Sequence, residues 1–172
     1  MPRPHGGPVV CVAVVVVYYC TEQVFTCDPS TASSEHAAFL PAAETAVSLV
    51  HDAHPRLGET VAVFGQGVIG LLVTAALAAM GLRVHAVDLD PARRDLARRL
   101  GAAVATGPEN APRRAADVAI ECSGSPKALQ AAIDAAVDHG TIVIASWYGR
   151  KPVALTLGMH ARAPRHSLPT PP

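Results

Sequence analysis

From residue 60 to residue 147, short unbroken apolar runs alternate with longer stretches in which apolar positions return every three or four residues. The short runs are "TVAVFG" (60–65), "LRVHAVDLD" (82–90), "AAVA" (102–105), "DVAIECSG" (117–124) and "TIVIASW" (141–147). A run that is apolar at successive positions is buried on both faces, which marks a strand inside a parallel sheet. The stretches between the runs predict helices. "VIGLLVTAALAAMG" is apolar nearly all round and closes at Gly81, "PARRDLARRLG" starts at Pro91 and stops at Gly101, and "PKALQAAIDAAVDHG" follows the fourth run. Upstream, "PAAETAVSLVHDAH" predicts a helix from Pro41 to His54, with Ala46, Leu49, Val50 and Ala53 on one face and Pro55 and Gly58 beyond its end. Strict alternation with short loops implies right-handed crossovers and helices on both faces of the sheet. The predicted fold is therefore α/β, a doubly wound parallel sheet of about five strands.

Proline placement sets the boundaries. Pro2, Pro4 and Pro8 stand at one end, and Pro164, Pro169, Pro171 and Pro172 at the other. Proline removes backbone donors, so both ends are expected to be loosely organised. The expected division is a poorly ordered or remnant segment over 1–40, a folded domain over 41–158 and a disordered Pro-rich tail over 159–172. The closing "ARAPRHSLPTPP" cannot form a central strand, so the sheet is expected to be incomplete at its C-terminal edge, with residues 141–147 exposed to self-association.

Composition narrows the partners. Lys+Arg and Asp+Glu balance at 14 each and aromatics are 4% of the 172 residues, which disfavours nucleic acid and anionic membrane as partners. Cys11, Cys20, Cys27 and Cys122 show no paired spacing, so the chain reads as cytoplasmic. The apolar run "VVCVAVVVVYY" is too short to span a bilayer and no small-residue cleavage site follows it.

The turn after the first run carries the clearest chemistry. Gly65, Gly67 and Gly70 are spaced G-x-G-x-x-G between a predicted strand and a predicted helix. In that context Gly65 makes the sharp turn, Gly67 lets a pyrophosphate approach the backbone, and Gly70 lets helix and strand pack closely. Gln66, Val68 and Ile69 complete the turn, whose N–H groups and helix dipole favour an anion. Asp88 ends the second strand about eighteen residues after Gly70, placed to accept hydrogen bonds from the ribose hydroxyls of a dinucleotide. Its charge repels a 2′-phosphate, so NAD is expected over NADP. Asp90 reads as the N-cap before Pro91; Arg93 is a candidate coenzyme contact, although with Arg94 it also reads as a solvated helix face.

Taken as a series, "FLPAAETAVSLV", "GETVAVFGQGVIGLL", "VDLDPARRDLARRLGA", "ADVAIECSG" and "IASWYG" resemble the Rossmann-like coenzyme domain of zinc-type medium-chain alcohol dehydrogenases, over residues 35 to 160. The resemblance implies an oxidoreductase that passes hydride between NAD(H) and an alcohol or carbonyl. It also implies that Cys122, Ser123 and Gly124, with Ala145, Ser146 and Trp147, border the nicotinamide.

The same resemblance implies zinc, for which ligands are not found. The family's large β-rich catalytic domain would precede Pro41, where some forty residues stand, and its His-Glu segment and closely spaced cysteines are absent. Neither Cys nor a carboxylate stands at Leu40 and Pro41; Glu44 reads as a helix-start carboxylate and His51 with His54 as a solvent-facing pair. Cys122 reads as a small buried residue with no identifiable base, so no catalytic residue is assigned. The expectation is a truncated or frame-disrupted chain, inactive alone, that binds NAD(H) and meets an alcohol or carbonyl only where a catalytic domain is supplied. A stand-alone NAD-sensing module needs only the turn and the acidic strand end, and "ECSGS" and "ASWYG" favour the dehydrogenase over it. A methyltransferase is disfavoured by the third glycine.

Overall fold

In the computed structural model the described residues are 38–148 and 152–156, with the backbone of 11–14. In chain order they form β1 (Cys11–Val14), α1 (Leu40–Ala53), β2 (Thr60–Phe64), α2 (Val68–Ala79), β3 (Arg83–Val87), α3 (Pro91–Arg99), β4 (Val104–Thr106), a 3₁₀ turn (Pro108–Asn110), β5 (Ala116–Glu121), α4 (Pro126–Ala135) and β6 (Ala136–Ile144). The strands make one parallel sheet in the order β1-β6-β5-β2-β3-β4. The five strands expected from the apolar runs are all present. Their order reverses between β2 and β5, which makes that seam the switch point of a doubly wound sheet.

Two-residue alternation splits the strand side chains between two cores. Val61, Val63, Val84, Val118, Ile120 and Val143 pack under α1 and α2, whose buried Leu49, Val73 and Leu77 complete that face. Ala62, Phe64, Ala119 and Ile142 face the other way, against Leu129, Ala132 and Ile133 of α4. The α1 residues expected to face inward, Ala46, Leu49, Val50 and Ala53, are the buried ones. α2 and α3 each end in the same pair of backbone bonds, Gly81 to Ala78 with Leu82 to Leu77, and Gly101 to Arg98 with Ala102 to Ala97. These satisfy the last helical carbonyls and send the chain straight into the next strand. Leu49 is fully buried, so Leu49→Ala is expected to cost about 2–5 kcal/mol, measured by urea unfolding.

Two expectations are corrected. The last helix stops at Ala135 instead of continuing to Gly140, and β6 begins five residues before "TIVIASW". Tertiary bonds end it: the N–H groups of Arg114 and Ala115 donate to the carbonyls of Asp134 and Ala135 at 2.9 Å each, and Ala136 pairs with Ala116. Second, the outer edge of β6 is not open, because β1 pairs with it from Cys11↔Thr141 to Val14↔Ile144. The backbone groups expected to drive homo-oligomerisation through that edge are already in a ladder. The expected Pro-rich tail lies outside the described residues, as do most of the N-terminal segment and the side chains of Cys11, Cys20 and Cys27.

The strands all finish on one line. Val14, Ile144, Glu121, Phe64, Val87 and Thr106 are successive partners across the sheet. One further rung continues past it, with Gly65 N–H donating to Val87 O, Cys122 to Phe64 O, Asp88 to Thr106 O and Ala145 to Glu121 O. The loops after β2, β3, β5 and β6 therefore leave the sheet from a common rim.

Candidate functional site

Each glycine of the turn has a different surrounding. Gly65 sits at φ +91°, and a Cβ there would lie 2.8–2.9 Å from Ser123, so the turn after β2 touches the loop after β5. A Cβ on Gly70 would lie 1.9 Å from the carbonyl oxygen of Gly65, so α2 rests directly on the turn. A Cβ on Gly67 would meet nothing within 4 Å. The space above Gly67 is open to a ligand. Gly67 is also the N-cap of α2 and no side chain caps that helix, leaving the first-turn N–H groups of Val68, Ile69 and Gly70 without intrahelical acceptors.

The Gln66 side chain is committed inward, whereas Val68 is exposed. Gln66 is fully buried; its Nε2 donates to Val63 O at 3.1 Å and its Oε1 accepts from the Thr74 hydroxyl at 3.0 Å. Its backbone N–H donates to Asp88 Oδ2 at 2.6 Å, while Oδ1 of Asp88 accepts from Asp90 N–H at 2.8 Å. The Asp88 carboxylate is thus held against the glycine turn, where it retains acceptor capacity. Asp90 caps α3 by accepting from Ala92 N–H at 2.8 Å, as expected. Arg93 extends toward Asp90 at 3.8 Å. Arg94 is not a solvated face residue: it donates to the carbonyls of Asp88 and Leu89, both at 2.9 Å, and clamps the loop after β3. Beside Asp88 lies a cavity of about 360 Å³ lined by Gly65, Leu89, Arg93, Pro108, Ser123 and Lys127, among others. Of these, Leu89, Pro108 and Lys127 were not singled out from the sequence.

On the far side of the seam the centre is Glu121, which sequence reasoning also missed. It is fully buried at the end of β5. Its Oε1 accepts from Ser123 N–H and Ser123 Oγ, both at 2.6 Å, and from Gly124 N–H at 3.1 Å. Its Oε2 accepts from Tyr148 Oη at 2.6 Å and from Ser146 Oγ. A carboxylate interrupting an apolar run was the available signal, because a buried acid must find donors and the following loops carry the hydroxyls of Ser123, Ser125, Ser146 and Tyr148. Burial, then the bond to Glu121, pushes the Tyr148 phenol up and keeps it a donor. Burial, with the neighbouring Glu121 charge second, also pushes the Cys122 thiol up, so Cys122 is no ready nucleophile. Trp147 is 78% exposed above this network.

Residues 68–164 match the family of zinc-binding dehydrogenases. The chain belongs to that family. It is similar to the (R,R)-butanediol dehydrogenase of Bacillus subtilis, 35% identical over 130 residues, which cover 69% of this chain and 38% of the relative. It is also similar to a probable D-xylulose reductase A of Arthroderma otae, 34% identical over 130 residues, covering 67% and 36%. Among solved structures, the Bacillus subtilis butanediol dehydrogenase superposes with a TM-score of 0.65 at 32% identity, over 78% of this chain and 42% of that one. A Sinorhizobium meliloti protein described as a zinc-binding dehydrogenase, solved with NADP bound, gives 0.66 at 27% identity, over 70% and 40%. The chain spans little more than a third of the length of these curated relatives.

For a dinucleotide the family part fits this chain: an uncapped helix start, open space above Gly67 and a carboxylate fixed at the strand end. Among the described residues no group of three or more His, Cys, Asp and Glu side chains is arranged to hold a metal ion. Glu44, His51 and His54 are exposed along α1 and its cap. Among the described residues no helix is long and apolar enough to cross a membrane.

Proposed function

We propose that residues 41–158 of this zinc-binding dehydrogenase chain form its NAD(H)-binding unit, serving hydride transfer between a nicotinamide coenzyme and an alcohol or its carbonyl partner in the cytoplasm. The observation that carries the reading is the pairing of an open, uncapped turn at Gly67 with Asp88, whose carboxylate is tied to that turn by the Gln66 N–H.

The N–H groups of Val68 and Ile69 would hold the pyrophosphate, and the positive end of the α2 dipole adds to their attraction. Asp88 would accept from the adenosine ribose hydroxyls, and Leu89 and Pro108 offer apolar cover for the base. Arg93 and Lys127 are the cations that line the same cavity. Gly124, Ser146 and Trp147 lie where the second half of a dinucleotide would cross the seam between β2 and β5. When bound, the nicotinamide supplies the hydride donor or acceptor. Ser123 and Ser146 hold their hydroxyl protons toward Glu121. No step is assigned to zinc, because the described residues offer no donor set for it.

The fixed Asp88 charge supports NAD over NADP. Titration of NADH and NADPH against the chain is expected to show tighter binding of NADH. Asp88→Ala should weaken NADH about tenfold, equivalent to about 1.4 kcal/mol. Equal affinity for the two coenzymes in the unaltered chain, or an Asp88→Ala variant that binds NADH normally, would sink this assignment.

A further inference from the structure

We infer that Glu121 is the positioning residue for the nicotinamide half of the coenzyme, because its carboxylate ties the loop after β5 to the loop after β6. This rests on the coenzyme reading above and adds to it a residue that has no direct contact role.

The geometry is lopsided in a telling way. Oε1 is occupied by the near loop, through Ser123 N–H, Ser123 Oγ and Gly124 N–H. Among the described residues, Oε2 is occupied by the far loop, through Ser146 Oγ and Tyr148 Oη. One oxygen thus organises the turn that leads into α4, and the other holds the segment that carries Trp147. Ala145 N–H donating to Glu121 O at 2.8 Å adds a backbone bond between the same two strands. Tyr148 also packs against the core under α4, so the far loop is anchored on both sides of Trp147.

Ser123, which touches the would-be Cβ of Gly65, links the Glu121 cluster to the phosphate turn across the seam. A dinucleotide lies across that seam with one half on each side. The β2-α2-β3 side, with Asp88, takes the adenosine. The β5 and β6 rim is left for the nicotinamide, and Glu121 is the side chain that holds its two loops together. Among the described residues each of its hydrogen-bond partners is an N–H or a hydroxyl, and hydrogen bonds to a carboxylate are stronger and shorter than neutral ones.

The test separates the two halves of the ligand. NADH and ADP-ribose are each titrated calorimetrically against the 172-residue chain, Glu121→Gln and Tyr148→Phe, with Trp147, the single tryptophan, as a fluorescent reporter beside the site. In Glu121→Gln the amide oxygen must face the fixed N–H donors of Ser123 and Gly124, so the near loop keeps its bonds. The amide NH₂ then meets the two hydroxyls, giving a weaker neutral tie. Glu121→Gln is expected to weaken NADH about tenfold and Tyr148→Phe about threefold, with ADP-ribose changed less than about twofold in either. Tyr148→Phe leaves Glu121 with its near-loop donors, so it serves if Glu121→Gln does not fold. Equal weakening of NADH and ADP-ribose, or NADH binding unchanged in both variants, overturns the inference while leaving the coenzyme reading intact. Failure of the unaltered chain to bind either ligand overturns both.

Discussion

Gly67→Val is expected to weaken NADH binding at least about a hundredfold, equivalent to about 2.7 kcal/mol, while leaving the protein folded. The reason lies in what surrounds this position. A Cβ at Gly67 touches no protein atom within 4 Å, and the backbone there is at φ −74° and ψ −168°, extended geometry that valine adopts freely. The fold therefore loses only the preference of an N-cap for glycine over a branched apolar residue, below about 1 kcal/mol. The branched side chain instead fills the space in which a pyrophosphate must approach the first-turn N–H groups of α2. Thermal unfolding and NADH titration on the same preparation check both halves. A variant that still binds NADH normally would mean that the phosphates do not lie on this turn.

Gly70→Ala should fail in the opposite manner. Its new methyl would sit 1.9 Å from the Gly65 carbonyl oxygen and 2.9 Å from the carbon that bears it. Both are backbone atoms of a turn already held by Gly65 N–H to Val87 O, so neither can move without breaking the rim. Alanine's better helix propensity returns about 1 kcal/mol, which is less than the cost of the overlap. The expected net loss is about 2–4 kcal/mol of stability, seen as a lower urea midpoint, with coenzyme binding lost alongside it. A Gly70→Ala chain that unfolds like the unaltered protein would show that α2 does not need to rest on the turn. Gly67 and Gly70 thus have separable duties, and the pair of variants tells them apart by their effect on stability.

Much of the site was legible from residues close together in the chain. The glycine spacing, the acidic residue at the end of the second strand and the Asp90-Pro91 helix start each depend on neighbours within a few positions. Each is observed where it was expected. What was not legible depended on strand pairing or on the path a loop takes once its strand ends. The end of α4 was placed at Gly140 because "DAAVDHG" continues the helical pattern, yet pairing with the segment before β5 ends the helix at Ala135. Arg94 looked like a solvated face residue because its helix is polar, and only the path of the loop after β3 brings two carbonyls to its guanidinium.

Glu121 draws the line between the two kinds of information. Its place at the end of an unbroken apolar run, the mark of a strand covered on both faces, follows from the residues of one segment. So do the order of strands and helices and the sharp turn at Gly65. Which groups answer the buried carboxylate depends on strand register: Glu121 opposite Ile144 brings Ser146 and Tyr148 to Oε2 across about 25 residues of chain. A shift by one residue would reverse the faces and break that network. Register is set by the whole sheet packing between its two cores, and so are the common rim at which all strands finish and the seating of β1 beside β6. Local sterics chose the elements of this dehydrogenase chain; the energy of burying them together chose their partners.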